Sequence, residues 1–118
     1  MSLAPAGETA ALTALLTGRY VSLHTGIPTG GNEVSGGAYA RQSATFTQSG
    51  SDPTVGANDA NIEYPAATGS WGTITYVGLY SALSGGSLIA YEALTTPKSI
   101  GIDDVFRFKV GQLSMSAT

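Results

Sequence analysis

The sequence has no cysteine, a single histidine and few charged residues. The lack of cysteine excludes disulfides and thiolate zinc sites as sources of stability. Charged residues make up 11% of the chain, less than half of the roughly 25% found in typical soluble domains. The formal net charge is −3, which gives no attraction to phosphate backbones or anionic lipids. We therefore expect neither nucleic acid nor a membrane surface among the partners.

Long apolar runs are also missing from the sequence. No run approaches the roughly 18 residues of a membrane-spanning helix, and the N-terminus lacks the basic start and apolar core of a secretion signal. These features predict a protein that is made and assembled in the cytoplasm. The 118 residues suffice for one domain, which would bury about two thirds of its unfolded surface. Its mostly neutral surface favours contact with other proteins, because few charges need to be desolvated there.

The first segment of the chain has the period of a helix. Residues 5–16 place Leu12, Leu15 and Leu16 on one face, because these positions follow the i, i+3, i+4 spacing. Gly18 provides a stop after the last turn. We expect this small apolar face to pack across a subunit boundary, since it would add little to a sandwich already closed by strands. The three leucines are therefore candidate interface residues.

The rest of the chain alternates apolar and polar residues with a period of two, interrupted by clusters of Gly, Pro, Asn, Asp and Ser. Such segments predict β-strands. The predicted strands cover residues 19–24, 39–47, 61–64, 72–80, 87–94, 105–110 and 112–116. We therefore predict a mainly β chain, with an antiparallel, jelly-roll-like β-sandwich over residues 19–118. An N-terminal arm, residues 1–18, carries the one short helix.

The parity of these strands predicts the core and the turns. Residues expected to be mostly buried, because they share the apolar parity of their strands, are Phe46, Ile74, Phe106, Phe108 and Val110. The parity reverses between this last strand and the pair Leu113 and Met115, which predicts a bulge or tight bend at Gly111. The double glycine Gly85–Gly86 predicts a hairpin. Residues 47–61 have almost no large apolar side chains, so they are predicted to form a long surface loop.

The sequence contains none of the common catalytic or cofactor motifs. It has no G-x-S-x-G elbow, H-E-x-x-H pair, P-loop or dinucleotide fingerprint. His24 lies at the end of a predicted strand, where a hydrogen-bonded structural role is expected. Asp103 and Asp104 could supply two calcium ligands, but the alternating oxygens of a calcium loop are missing, which favours a turn. We therefore expect no catalytic residue, no metal, no cofactor and no enzymatic activity.

The stretch "NEVSGGAYARQ", residues 32–42, combines an acid, a glycine pair, an aromatic residue and a base. The glycines permit positive φ values and a close approach of the backbone. Tyr39 can cap the core, and Glu33 or Arg41 can fix the loop through a charged hydrogen bond. We interpret the stretch as a structural loop leading into a strand. The alternative is contact with a neighbouring chain, which makes these three residues interface candidates as well.

Four motifs in a fixed order carry a resemblance to a known family. They are "VSLHTGIPTGG", "NEVSGGAYARQSATF", "NIEYPAATGSWGTITYVGLYSALSGGSLIAYEAL" and "TPKSIGIDDVFRFKVGQLSMS". The series, over residues 21–115, resembles small virion proteins of tailed bacteriophages, which are often labelled tail fibre proteins. Similar folds appear as capsid cement proteins. The chain departs from the family at Ile27, where Asp is usual, and at Asp103–Asp104, where Gly-Asp is common; both changes affect turns.

The resemblance implies a non-enzymatic structural protein of the virion. The leading expectation is a capsid cement protein, a homotrimer that binds the major capsid protein and strengthens the head. The alternative is a tail fibre or another tail component. A third hypothesis, from a different class, is a small carbohydrate-binding module that uses Trp71 and Tyr76 as stacking platforms. That module requires an exposed row of aromatic rings, whereas strand alternation suggests that at least some of these rings are buried.

Overall fold

The computed structural model describes residues 1–117, so the last residue of the predicted domain 19–118 lies outside the described part. The chain is mainly β, with one N-terminal helix and antiparallel pairing throughout. The elements are α1 (Pro5–Leu16), β1 (Arg19–His24), a 3-10 turn (Pro28–Gly30), β2 (Gln42–Ala44), β3 (Phe46–Ser49), β4 (Thr54–Asn58), β5 (Ile62–Glu63), β6 (Gly72–Tyr80), β7 (Leu88–Ile100), β8 (Arg107–Phe108) and β9 (Ser114–Ala117). Within residues 1–117, no helix is long and apolar enough to cross a membrane.

The strands form three sheets. A four-stranded sheet has the order β2-β1-β6-β7, a three-stranded sheet the order β3-β4-β9, and β5 pairs with β8 in a small third sheet. The two larger sheets lie in a sandwich-like arrangement, and side chains from both line the space between them. The third sheet was not anticipated from the sequence.

Helix α1 forms where the sequence predicts it, but its apolar face packs within the chain. Pro5 starts the helix, a position that tolerates proline because the N–H there has no helical partner. Leu12 and Leu16 are buried, and the helix contacts β3, β4 and β9. Leu15 remains 37% exposed. The expectation that this face packs across a subunit boundary was therefore wrong for Leu12 and Leu16, because the three-stranded sheet leaves one side open and the helix covers it.

The prediction of a long surface loop over residues 47–61 was wrong, because most of β3 and all of β4 lie in this range. The inward positions of β4 carry Thr54, Gly56 and Asn58, all buried but small or polar. Gly56 has a specific role in packing: a Cβ atom at this position would overlap the Cδ1 atom of Leu16. The glycine therefore leaves room for the Leu16 side chain, and any larger residue at position 56 would force that side chain to move. The segment lacks large apolar residues because the helix supplies them.

Glu8 ties the helix to the start of β4. Its side chain is fully buried, and Oε1 accepts hydrogen bonds from the backbone N–H of Asp52 at 2.9 Å, the backbone N–H of Thr54 at 3.0 Å and the Thr54 hydroxyl at 2.8 Å. The bond from Asp52 is the main cause that lowers the pKa of Glu8, and the bonds from Thr54 add to it against the opposing effect of burial. The carboxylate therefore stays ionised at neutral pH while it holds two segments together.

The core contains most of the residues predicted for it. Ile74, Phe106 and Phe108 are buried, and Phe46 is partly buried against the same cluster. Val110 is 59% exposed, so its predicted burial was wrong. The strand ends at Phe108 instead of continuing, and the chain then turns toward β9.

The predicted turns at glycines are confirmed. Gly111 has φ +81° in the turn before β9, which lets Leu113 reach the core after the change of parity. Gly85 and Gly86 have φ +67° and +72° in the hairpin that joins β6 to β7. A side chain with a Cβ would be strained at all three positions.

Candidate functional site

The loop that precedes β2 has an unusual backbone. Gly36, Gly37 and Ala38 have φ values of +74°, +57° and +67°, three consecutive residues in the left-handed region. The Gly37 carbonyl accepts hydrogen bonds from the backbone N–H of Thr68 at 3.0 Å and from Trp71 Nε1 at 2.9 Å. A Cβ on Gly37 would lie 2.9 Å from that indole nitrogen. The glycine is therefore needed both for its φ value and for the close approach of the indole.

This backbone brings Glu33, Tyr39 and Arg41 together in what we call the loop cluster. Arg41 binds the Glu33 carboxylate with two parallel hydrogen bonds of 2.9 Å, from Nε to Oε2 and from Nη2 to Oε1. The Tyr39 hydroxyl donates to Oε2 at 2.6 Å and accepts from the backbone N–H of Leu23 at 3.1 Å. Two-point Arg–carboxylate contacts are among the stronger and more directional polar interactions in proteins.

The charges of the loop cluster support one another. Burial alone would raise the pKa of Glu33, but the hydrogen bonds from Arg41 and Tyr39 outweigh it and hold that pKa below its usual range. Burial, followed by the hydrogen bond to Glu33, raises the pKa of Tyr39 far above its ordinary value. The carboxylate is therefore ionised and the phenol protonated at neutral pH, which is the combination that the hydrogen bonds require.

Arg41 also joins the loop cluster to the β6–β7 hairpin. Its Nη1 donates to the carbonyls of Ala82 at 2.9 Å and Gly85 at 2.7 Å, and its guanidinium lies 3.7 Å from the centroid of the Tyr80 ring. Cations contact aromatic faces favourably at such distances. These contacts fix the stretch to the hairpin, and the alternative of contact with a neighbouring chain stays a prediction. The hairpin partners could not be read from the sequence, because they lie about forty residues away.

The other polar residues singled out from the sequence are separate from the loop cluster. His24 is fully buried; Nδ1 donates to the Gly31 carbonyl and Nε2 contacts the Ser22 hydroxyl, both at 2.7 Å. Asp103 has φ +71° and Asp104 accepts from the Gly101 N–H at 2.8 Å, so this pair forms a turn. In residues 1–117 there is no group of three or more His, Cys, Asp or Glu side chains arranged to hold a metal ion.

The structure also corrects the carbohydrate-binding hypothesis. Trp71 is only 4% exposed, and its indole nitrogen is occupied by the Gly37 carbonyl. Its ring packs edge-on against Tyr39 and Tyr64 at centroid distances of 5.5 and 6.2 Å. Trp71 is therefore a core residue and has no free face for a sugar ring. Tyr76 is partly buried beside Tyr91.

A second feature, which the sequence did not indicate, is a cleft between the two larger sheets. It has a volume of about 260 Å³. Its walls are mostly apolar and come from the helix and both sheets: Leu16, Phe46, Val77, Leu79, Ala90, Leu113 and Met115. Glu92 is the charged residue among those that line it. We call this feature the inter-sheet cleft.

The family of the chain follows from a comparison with protein-family models. The model described as "Podophage GP4 fiber I protein gp80" matches residues 6–116. The chain belongs to this gp80 fibre family. The match runs from helix α1 into β9 and therefore covers the loop cluster and the inter-sheet cleft. No curated protein sequence matches the chain significantly.

Membership of the gp80 fibre family confirms the resemblance to small virion proteins of tailed bacteriophages. The chain is a bacteriophage structural protein of the fibre type, and its place is in the virion. The family description agrees with the tail fibre alternative, whereas it does not mention capsid cement.

Proposed function

We propose that this chain is a non-enzymatic subunit of a bacteriophage tail fibre and that its partners are further copies of itself and the neighbouring tail proteins. The observation that carries the proposal is the match to a fibre protein family over residues 6–116. A match to one motif would support only a shared turn, whereas this one spans every element from the helix to the last strand.

The arrangement of the polar groups supports a structural role. Glu33, Tyr39 and Arg41 bind one another and the hairpin backbone, which fixes two loops relative to each other. A fibre subunit must keep its shape under mechanical load, and such a rigid connection between loops suits that task. The low charge content suits it too, because subunit contacts then need little desolvation of charges. We propose self-association as a homotrimer, the state that the resemblance implied for a capsid cement protein.

The second candidate function is that of a capsid cement protein. The low charge of the surface favours it as well. A neutral surface suits binding to the major capsid protein as well as it suits binding within a fibre. The family description favours the fibre, so cement is the alternative that an experiment has to exclude.

Phage particles that lack this chain distinguish the two roles. If the chain is a tail fibre subunit, such particles are expected to have heads of normal heat and osmotic resistance but to adsorb poorly to host cells. Adsorption is measured by the loss of free phage after mixing with cells, and head stability by DNA release on heating. The control is the same mutant complemented with the wild-type chain, which should restore adsorption.

Two outcomes would contradict the fibre proposal. Fragile heads with normal adsorption would assign the chain to the capsid as cement. Normal heads with normal adsorption would exclude both roles and place the chain elsewhere in the virion.

A further inference from the structure

Val110 is an apolar residue whose side chain the fold leaves exposed to solvent. It is 59% exposed at the tip of the turn between β8 and β9. The backbone of this turn is fixed on both sides: the Val110 N–H donates to Asn61 Oδ1 at 3.1 Å, and Asn58 Nδ2 donates to the Lys109 carbonyl at 2.9 Å. The Lys109 N–H donates to Gln112 Oε1 at 2.7 Å. These bonds hold the backbone of the turn, so little backbone entropy is lost when Val110 binds a partner.

The inter-sheet cleft has the complementary shape and polarity. Its volume of about 260 Å³ leaves room for several water molecules. Water that enters the cleft meets mostly apolar walls, so an apolar side chain that displaces it gains free energy. The strands that border the opening, β7 and β9, are each at the edge of a sheet. A short apolar projection from another molecule therefore fits this opening better than a polar ligand does.

Charge decides which exposed apolar residue matches the cleft. Glu92 pairs with Val77 across the sheet, so both side chains lie on the face that lines the cleft. Lys109 is adjacent to Val110, and neither Glu92 nor Lys109 forms an ion pair within residues 1–117. The exposed apolar residues Ile102 and Val105 flank two aspartates, which Glu92 would repel.

Two other exposed apolar residues lie near a side-chain cation. Leu83 is near Arg41, but that guanidinium is already paired with Glu33. The other residue is Leu15. Leu15 is close to Arg19, but the Arg19 guanidinium already donates to the carbonyls of Leu15 at 2.7 Å and Ala14 at 3.0 Å. Leu15 also neighbours Leu16, which itself lines the cleft. The pair Lys109 and Val110 therefore combines a cation that has no ion pair in residues 1–117 with an exposed apolar side chain that does not line the cleft.

We propose that the inter-sheet cleft of one copy receives the β8–β9 turn of a second copy, with Val110 inserted between the sheets and Lys109 paired with Glu92. The contact joins two different surfaces, so each copy can receive one neighbour and contact another. Contacts of this kind build closed rings, including trimers, or filaments. This contact rests on the self-association proposed above and assigns it a surface.

Cysteine cross-linking tests the contact directly, because the wild-type chain has no cysteine. Val110→Cys and Ser114→Cys place one thiol on the turn and one on the rim of the cleft. The two full-length variants carry tags of different size and are mixed under mild oxidation. We expect a covalent dimer of mixed size to exceed both same-size dimers. The control replaces Val110→Cys by Ile102→Cys, whose position is 67% exposed, and should give no excess of the mixed dimer.

Charge reversal separates a docking role of Glu92 from simple protection of the sheet edge, since an inward-facing charge on an edge strand can also prevent unwanted pairing. We expect Glu92→Lys and Lys109→Glu each to weaken self-association by about fivefold, and the double variant to recover it. Sedimentation over a range of concentrations measures this. If Glu92→Ala strengthens association, Glu92 protects the edge and the proposal is wrong.

The two proposals fail in distinguishable ways. If the mixtures give no excess of the mixed-size dimer while sedimentation still shows oligomers, the proposed contact is wrong and self-association uses another surface. If the wild-type chain sediments as a monomer at all concentrations, self-association itself is wrong and the contact with it.

Discussion

A chain that lacks residues 2–16 is expected to lose its cooperative fold. The deletion removes Leu12 and Leu16, both buried against the three-stranded sheet, together with Glu8, whose carboxylate binds the start of β4. Removal of one buried leucine side chain costs about 2 to 5 kcal/mol, and a domain of this size has a total stability of about 5 to 15 kcal/mol. Loss of the whole helix therefore removes most of the available stability. Urea unfolding followed by near-ultraviolet circular dichroism measures it.

Two single substitutions give a matched control for the deletion. Leu12→Ala should cost about 2 to 5 kcal/mol because Leu12 is fully buried. Leu15→Ala should change the stability by less than about 1 kcal/mol, because Leu15 is 37% exposed on the same helix. A deletion product with a native-like, cooperative transition would show that the helix lies outside the core and would contradict the fold described above.

The second large loss of stability is expected for the substitution Arg41→Ala. This change leaves the partly buried Glu33 carboxylate without its two-point partner and removes the hydrogen bonds to Ala82 and Gly85. When such an ion pair is completely buried, the loss of one partner lowers the stability by about 3 to 5 kcal/mol. The Glu33 side chain is 25% exposed, so water screens part of the effect and we expect about 2 to 3 kcal/mol.

Arg107 provides the control for Arg41. It forms the other ion pair within residues 1–117, with Glu63, but the two side chains are 45% and 52% exposed. Exposed pairs contribute about 0 to 1 kcal/mol, so Arg107→Ala should change the unfolding free energy little. Denaturant midpoints at pH 7 compare the two variants. Equal losses of stability would mean that the loop cluster is no more important than an ordinary surface ion pair.

The sequence predicts the regular elements of this fold well where large apolar residues keep a clear period. Helix α1 and strands β1 and β6 lie where the patterns place them. Strand β4 was missed because the side chains that it turns inward are Thr54, Gly56 and Asn58. A strand packed against a helix can use small residues, since the helix fills the space. That arrangement depends on tertiary packing, which a local period does not contain.

The error at Val110 has a similar origin. The alternation of the segment continues to Val110, but Asn58 and Asn61 bind the backbone after Phe108 and turn it away from the sheet. These asparagines lie about fifty residues earlier in the chain, so their effect cannot be inferred from the segment itself. An apolar side chain that the fold leaves exposed against its own pattern is a reasonable place to look for function.

The loop cluster was predictable in part. Glu33, Tyr39 and Arg41 are close in sequence, and the glycines between them indicate a loop that could bring them together. The contacts of Arg41 with Tyr80 and the hairpin carbonyls depend on how two loops meet in space. The interface role expected for these residues remains a prediction, and their contacts within the chain account for their proximity.

The most direct test of the fibre assignment is a density map of the virion of the phage that encodes this chain. We expect density for this fold at the tail, in a copy number set by the symmetry of the tail. The turn that carries Val110 should be inserted into the inter-sheet cleft of a neighbouring copy. Density for this fold at regular positions over the icosahedral shell, in contact with the major capsid protein, would contradict the fibre assignment.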